Sequence, residues 1–107
     1  MKVRQIISLV DGLRENKIDD ETKLFWINEI EGRIQNEIFK SAPGVFKPLI
    51  SLENEVSAPE QYSRIYVLYL DAMILFGKGE YDSFHVVTAE LERAFSEYAR
   101  YIIRNRI

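Results

Sequence analysis

From Arg64 to Phe76 the chain reads Arg-Ile-Tyr-Val-Leu-Tyr-Leu-Asp-Ala-Met-Ile-Leu-Phe, a helical run that is apolar almost all the way round. Ile65, Leu68, Tyr69, Ala72, Met73 and Phe76 form one stripe at three- and four-residue spacing, while Val67, Leu70 and Ile74 fall on the opposite side. A surface helix needs one apolar stripe, and a helix apolar on every side is a buried one. A chain of 107 residues supplies few elements to cover it. Part of this helix, at Val67, Leu70 and Ile74, is therefore expected to be covered by a second copy of the chain or by another protein.

Three further helices follow from periodicity. Val3, Ile6, Ile7, Val10 and Leu13 predict an amphipathic helix over about 2–14. Leu24, Ile27, Ile30, Ile34 and Ile38 predict a second over about 21–40, with Asp19 or Asp20 as its cap. Gly32 in its middle is expected to let another helix approach closely. Ser57 and Glu60 have capping-box spacing, so the oily helix is expected to open there and to stop at Gly77-Lys78-Gly79. The stripe Tyr81, Phe84, Val87, Thr88, Leu91, Ala94, Phe95, Tyr98 and Ile102 predicts the fourth helix, antiparallel to the third. The expected fold is all-α, a single domain over 1–107 with four main helices in a bundle-like arrangement.

Residues 41–58 break the pattern. Pro43, Pro48 and Pro59 bracket a stretch with no helical period that still carries Val45, Phe46, Leu49, Ile50, Leu52 and Val56. A disordered linker would not be this apolar, and long loops of compact domains are often functional. A short extended piece is expected near Leu49–Leu52. Val45, Phe46, Leu49 and Ile50 are the expected partner contact, for instance by an arm that adds to a neighbour through backbone pairing.

Chemistry finds little support. With no cysteine, a disulfide scaffold, a thiolate metal site and cysteine catalysis are excluded. His85 is the sole histidine and is expected to be a boundary residue of the fourth helix. Glu29, Glu31 and Glu37 lack the Glu-x-x-His partners of a di-metal bundle. Glu29 and Glu37 read as a solvated face, with Glu29 facing Arg33 and Glu37 facing Lys40. Gly77-Lys78-Gly79 is a turn, since a phosphate loop needs a longer pattern between a strand and a helix. No cofactor or metal is expected, and an enzyme is not. Asp71, a charge in the oily helix, either meets an arginine from another helix or subunit or sits on a narrow exposed edge.

Seventeen acids against 14 bases give a net charge of −3, which argues against nucleic-acid binding by the whole surface. Arg93, Arg100, Arg104 and Arg106, interleaved with Tyr98 and Tyr101, make a basic C-terminal stretch. It can balance the helix dipole or touch nucleic acid or an acidic partner. Asp71 interrupts the longest apolar run well short of a membrane span, and the N-terminal stretch does not read as a signal peptide. A soluble, intracellular chain is expected.

Two stretches carry a resemblance. One is Trp26-Ile27-Asn28-Glu29-Ile30-Glu31-Gly32-Arg33-Ile34-Gln35, after the acidic run from Asp19 to Lys23. The other is Ala58-Pro59-Glu60-Gln61-Tyr62, then Tyr66 to Ile74, then Gly79-Glu80-Tyr81-Asp82. Their order resembles that of small head–tail connector, or adaptor, proteins encoded in the head and neck gene clusters of tailed phages and prophages of Gram-positive bacteria. The resemblance covers nearly the whole chain. It implies a helical structural protein that assembles as a ring between portal and tail, in the host cytoplasm and then in the virion. The implied partners are further copies of itself and portal or tail proteins. A small nucleic-acid-binding or packaging module that uses the basic C-terminus is the competing expectation.

Overall fold

A computed structural model describes residues 1–40, 44 and 46–105. Four α-helices follow one another: α1 (Val3–Leu13), α2 (Asp20–Arg33), α3 (Arg64–Gly77) and α4 (Tyr81–Arg104). A π-helical turn (Ile34–Ile38) prolongs α2, and a 3₁₀ turn (Glu60–Tyr62) precedes α3. The chain is all-α and bundle-like. Among the described residues the only β pairing is an isolated bridge between Lys2 and Glu55.

Local signals set most of the boundaries. Asp19 caps α2 as its Oδ1 accepts the Thr22 N–H at 2.8 Å. The α3–α4 turn follows from Gly79 at φ 75°. The Glu80 N–H reaches back to the Leu75 carbonyl at 3.0 Å and the Gly79 N–H to that of Phe76 at 3.1 Å, which satisfies carbonyls a helix end leaves open. Two boundaries depart from expectation. At Ile34–Ile38 the ladder widens by one residue, with the Phe39 N–H donating to the Ile34 carbonyl at 3.1 Å. The Ser57–Glu60 capping box does not form, because the Ser57 side chain is committed to Glu31 and α3 begins only at Arg64.

The expectation that α3 needs cover from outside is overturned. Helices α4, α2 and α1 all pack on it, and its buried residues, Ile65, Tyr66, Leu68, Leu70, Ala72, Ile74 and Leu75 among them, point in every direction. Leu70 and Ile74 are 0% and 1% exposed. Its buried charge, Asp71, is met in the manner first considered. Arg14, just past α1, donates from Nε and Nη2 to both Asp71 oxygens at 2.8 and 3.2 Å. A forked guanidinium of this kind suits a buried carboxylate.

Gly32 is not a helix crossing either. A Cβ built there would meet only the Phe46 ring at 4.0 Å, an ordinary contact.

One buried polar cluster ties α2, α3 and the crossover between them. Glu31 is 2% exposed. Its Oε2 accepts the Ser57 N–H at 2.9 Å and its Oε1 accepts the Ser57 hydroxyl at 2.9 Å. The Tyr66 hydroxyl donates to Oε1 as well, while accepting the Ala58 N–H at 3.1 Å. Burial first, then the negative charge of Glu31 and their hydrogen bond, pushes the Tyr66 hydroxyl far above its ordinary range, so it stays a donor. Salt bridges fasten the remaining pairs of helices: Lys23 to Asp11 at 2.7 Å between α2 and α1, and Arg33 to Glu92 at 2.7 Å between α2 and α4. Arg33 also lies 4.0 Å above the Phe95 ring.

Glu31→Ala is expected to cost about 2 kcal/mol of stability in urea denaturation, because it leaves the buried Tyr66 hydroxyl, and the Ser57 hydroxyl and amide beside it, without their acceptor. Gly32→Ala is expected to leave the fold unchanged and to stabilise it by about 0.5 kcal/mol, the helix propensity difference with no clash against it.

Candidate functional site

The residues expected to meet a partner divide into three sets. Leu70 and Ile74 belong to the core and are withdrawn as contacts. Val45 and Arg106 lie outside the described residues. Phe46, Leu49 and Val67 are half-buried, and Ile50 is 86% exposed.

The expected extended arm near Leu49–Leu52 forms no strand and leads into a turn from Ser51 to Asn54, where the Asn54 N–H donates to the Ser51 carbonyl at 3.1 Å, and its backbone is already engaged. The Asn28 side chain on α2 accepts the Leu49 N–H at 2.8 Å and donates to the Leu49 carbonyl at 2.9 Å. Asn54 Oδ1 accepts the N–H groups of Ile50 and Ser51 at 3.0 and 3.1 Å. The Leu52 and Asn54 carbonyls accept the N–H groups of Arg4 and Val3, the first residues of α1, at 2.8 and 3.0 Å. Little main chain is left for strand addition to a neighbour. What this turn offers is a side chain: Ile50, held on a fixed backbone with its apolar surface in solvent.

A second apolar surface escaped the sequence reading. Leu13 belongs to the periodic stripe of α1, yet it is 58% exposed, and Leu9 one turn earlier is 51% exposed. With Val67 they line a shallow groove of about 350 Å³ between α1 and α3, edged by Glu60, Gln61, Ser63 and Arg64. Arg64 pairs with Glu90 of α4 at 2.9 Å, and Val86, one turn before Glu90, is 61% exposed. The signal available in the sequence was the pair Leu9 and Leu13 at i, i+4, off the line of Val3, Ile6 and Val10.

The charged candidates among the described residues lie on α4. Arg93, Arg100 and Arg104 are exposed, at spacings that put them on one stripe with Glu97 between them. His85 is exposed, beside the Phe84 ring. Neither expected acid–base pair on α2 forms as read. Arg33 turns to Glu37 and Glu92, and Glu29 meets Tyr69. Tyr98 is pushed up to about 12, by burial first and then by Glu31 and its tyrosine neighbours. It acts as packing, with its ring 4.9 Å from that of Tyr62.

No family model, no curated protein and no solved structure matches the chain. What the geometry defines is an all-α bundle with a closed interior and several exposed apolar positions. Among the described residues no helix is long and apolar enough to cross a membrane.

Arg33 holds the Glu92 carboxyl below its ordinary 4.5 against a smaller opposing effect of burial. A carboxyl depressed in the folded state contributes stability that is full above its unfolded value and is lost as pH falls through its folded value. Glu92→Gln is therefore expected to lower the urea midpoint near neutrality and to shrink the wild-type loss between about pH 5 and pH 3. Paired denaturation curves at the two pH values check this.

Proposed function

We propose that this chain is a structural assembly protein, similar in role to the head–tail connectors of tailed phages and prophages, which works by docking on other proteins. The residue order and aromatic positions of nearly the whole chain support the reading, as does the all-α fold that the resemblance implies. The observation that carries it is Ile50. A fully displayed isoleucine contributes nothing to the core, yet its backbone is fixed by Asn28 and Asn54. Rigid presentation of an apolar side chain lowers the ordering cost of binding. A partner contact therefore involves Ile50 and the half-buried Phe46 and Leu49 beside it, with Val67 and the Leu9–Leu13 groove as a second contact. The partners in this reading are other copies of the chain and portal or tail proteins. A nucleic-acid-binding module, the alternative, would rest on the exposed stripe of Arg93, Arg100 and Arg104.

The test is mass by light scattering across protein concentration, for the wild type and for Ile50→Asp. The variant is expected to keep the wild-type circular dichroism and melting temperature and to associate at least about tenfold more weakly. Equal association of the two proteins would contradict the docking role of the loop. Binding to duplex DNA that weakens steeply with salt would favour the alternative.

A further inference from the structure

We infer that residues 46–55 are a strap that opens as one unit while the bundle stays folded, and that opening it uncaps α1. The device operates whatever partner the chain docks on, so it stands apart from the assembly reading. Closed, the strap presents Ile50 and completes the start of α1; open, it does neither.

Helix α1 has no cap of its own for its first donors. Lys2 stands at the cap position with a side chain that accepts no hydrogen bond, and the first turn carries no acid. Gln5 Oε1 answers the Lys2 N–H at 2.8 Å, but no N–H inside the helix. Lys2 and Arg4 also place two cations at the positive end of the helix dipole, where cations are unfavourable. The strap supplies what is missing. Its Leu52 and Asn54 carbonyls accept the Arg4 and Val3 N–H groups at 2.8 and 3.0 Å, two of the donors that a helix start leaves open. The Glu53 carboxylate between them accepts from Arg4 and, at 3.3 Å, from Lys2. This turn does for α1 what Asp19 does for α2.

Little else holds the strap down. None of residues 46–55 is buried; Phe46, Leu49 and Leu52 are half-buried, and full burial resumes only at Val56 and Ala58. Glu53, Lys2 and Arg4 are all exposed, and ion pairs of that kind add little. Sparse apolar burial and hydrogen bonds open to solvent mark a segment that opens at low cost. The strap nevertheless moves as one piece, because its turn is bonded within itself. Asn54 Oδ1 accepts the Ile50 and Ser51 N–H groups, the Asn54 N–H donates to the Ser51 carbonyl at 3.1 Å, and the Glu53 N–H donates to the Ser51 hydroxyl at 3.1 Å. Opening stops at Ser57 and Ala58, which Glu31 and Tyr66 hold.

Asn28 and Glu53 therefore fasten the same body at two places. Asn28 binds Leu49 from α2, and Glu53 binds Lys2 and Arg4 at the start of α1. Loss of either fastening favours the open form and so weakens the other, a coupling between residues that bond to different partners. The open form is the minor one, so the backbone under Ile50 is fixed for most of the time. Anything that grips Ile50 on the closed strap also steadies the first turn of α1.

The experiment is native-state amide exchange on the full chain, read by NMR in wild type, Asn28→Ala and Glu53→Gln. Circular dichroism first establishes that both variants remain helical, and Glu53, being exposed, keeps the test available if Asn28→Ala fails to fold. Leu49, Val3 and Arg4 are the reporters, since their N–H groups bridge strap and bundle. In wild type the three are expected to share one opening equilibrium, with protection at least about a hundredfold below that of the α3 amides. In Asn28→Ala, Val3 and Arg4 are expected to exchange about tenfold faster, although Asn28 bonds to neither. In Glu53→Gln, Leu49 is expected to exchange about threefold faster, although Glu53 does not bond to it. Wild-type protection at Val3 and Arg4 equal to that of α3 overturns the opening. Asn28→Ala or Glu53→Gln leaving the far reporter at its wild-type rate overturns the single unit.

Discussion

The fold depends on one buried carboxylate. Glu31 sits on α2 with almost no access to water, and an ionised group there is costly unless donors replace its hydration. Three do: the Ser57 amide, the Ser57 hydroxyl and the Tyr66 hydroxyl. The Ala58 amide completes the set by donating to Tyr66. These partners come from α3 and from the irregular segment that joins it to α2. The cluster fixes where the crossover enters the bundle and delays the start of α3 to Arg64. Asn28, three residues earlier on α2, fixes the 46–52 turn by the same device, a polar side chain that answers main-chain groups.

With the crossover fixed, the bundle closes. Helix α3 is oily all round because it is central, with α4 along one side and α1 and α2 on others. Arg14 neutralises its buried Asp71 from outside the helix, and Lys23, itself buried, does the corresponding work between α2 and α1 through Asp11. The apolar surface left over lies at Ile50 on its turn, at Leu9 and Leu13 on α1, at Phe76 near the end of α3, and at Tyr81, Val86 and Ile103 on α4. Interaction surfaces belong there, away from the buried middle of α3.

What could be read in the sequence was whatever repeats locally. The 3.6-residue period gave all four helices, Asp19 marked the start of α2, and glycine spacing gave the α3–α4 turn. The missing parts depend on contacts between residues distant in the chain. The burial of Glu31 left no mark because the donors that meet it, on Ser57 and Tyr66, lie 26 and 35 residues away. Leu70 and Ile74 looked exposed because nothing in a sequence says that three helices will surround a fourth. Leu13 looked buried because periodicity does not show where a neighbouring helix stops. Of the expected contact residues Ile50 alone is largely exposed, with Phe46, Leu49 and Val67 half-exposed. The polar device that holds Ile50 in place left no periodic trace.

The most direct measurement is native-state hydrogen exchange at Ser57 and Ala58. These amides lie in a segment without regular structure, where exchange is ordinarily fast. If Glu31 and Tyr66 fasten the crossover, both amides exchange only with unfolding of the core and show protection close to that of α3. Exchange as rapid as that of an exposed loop, with α3 still protected, would contradict the central place given to the Glu31 cluster.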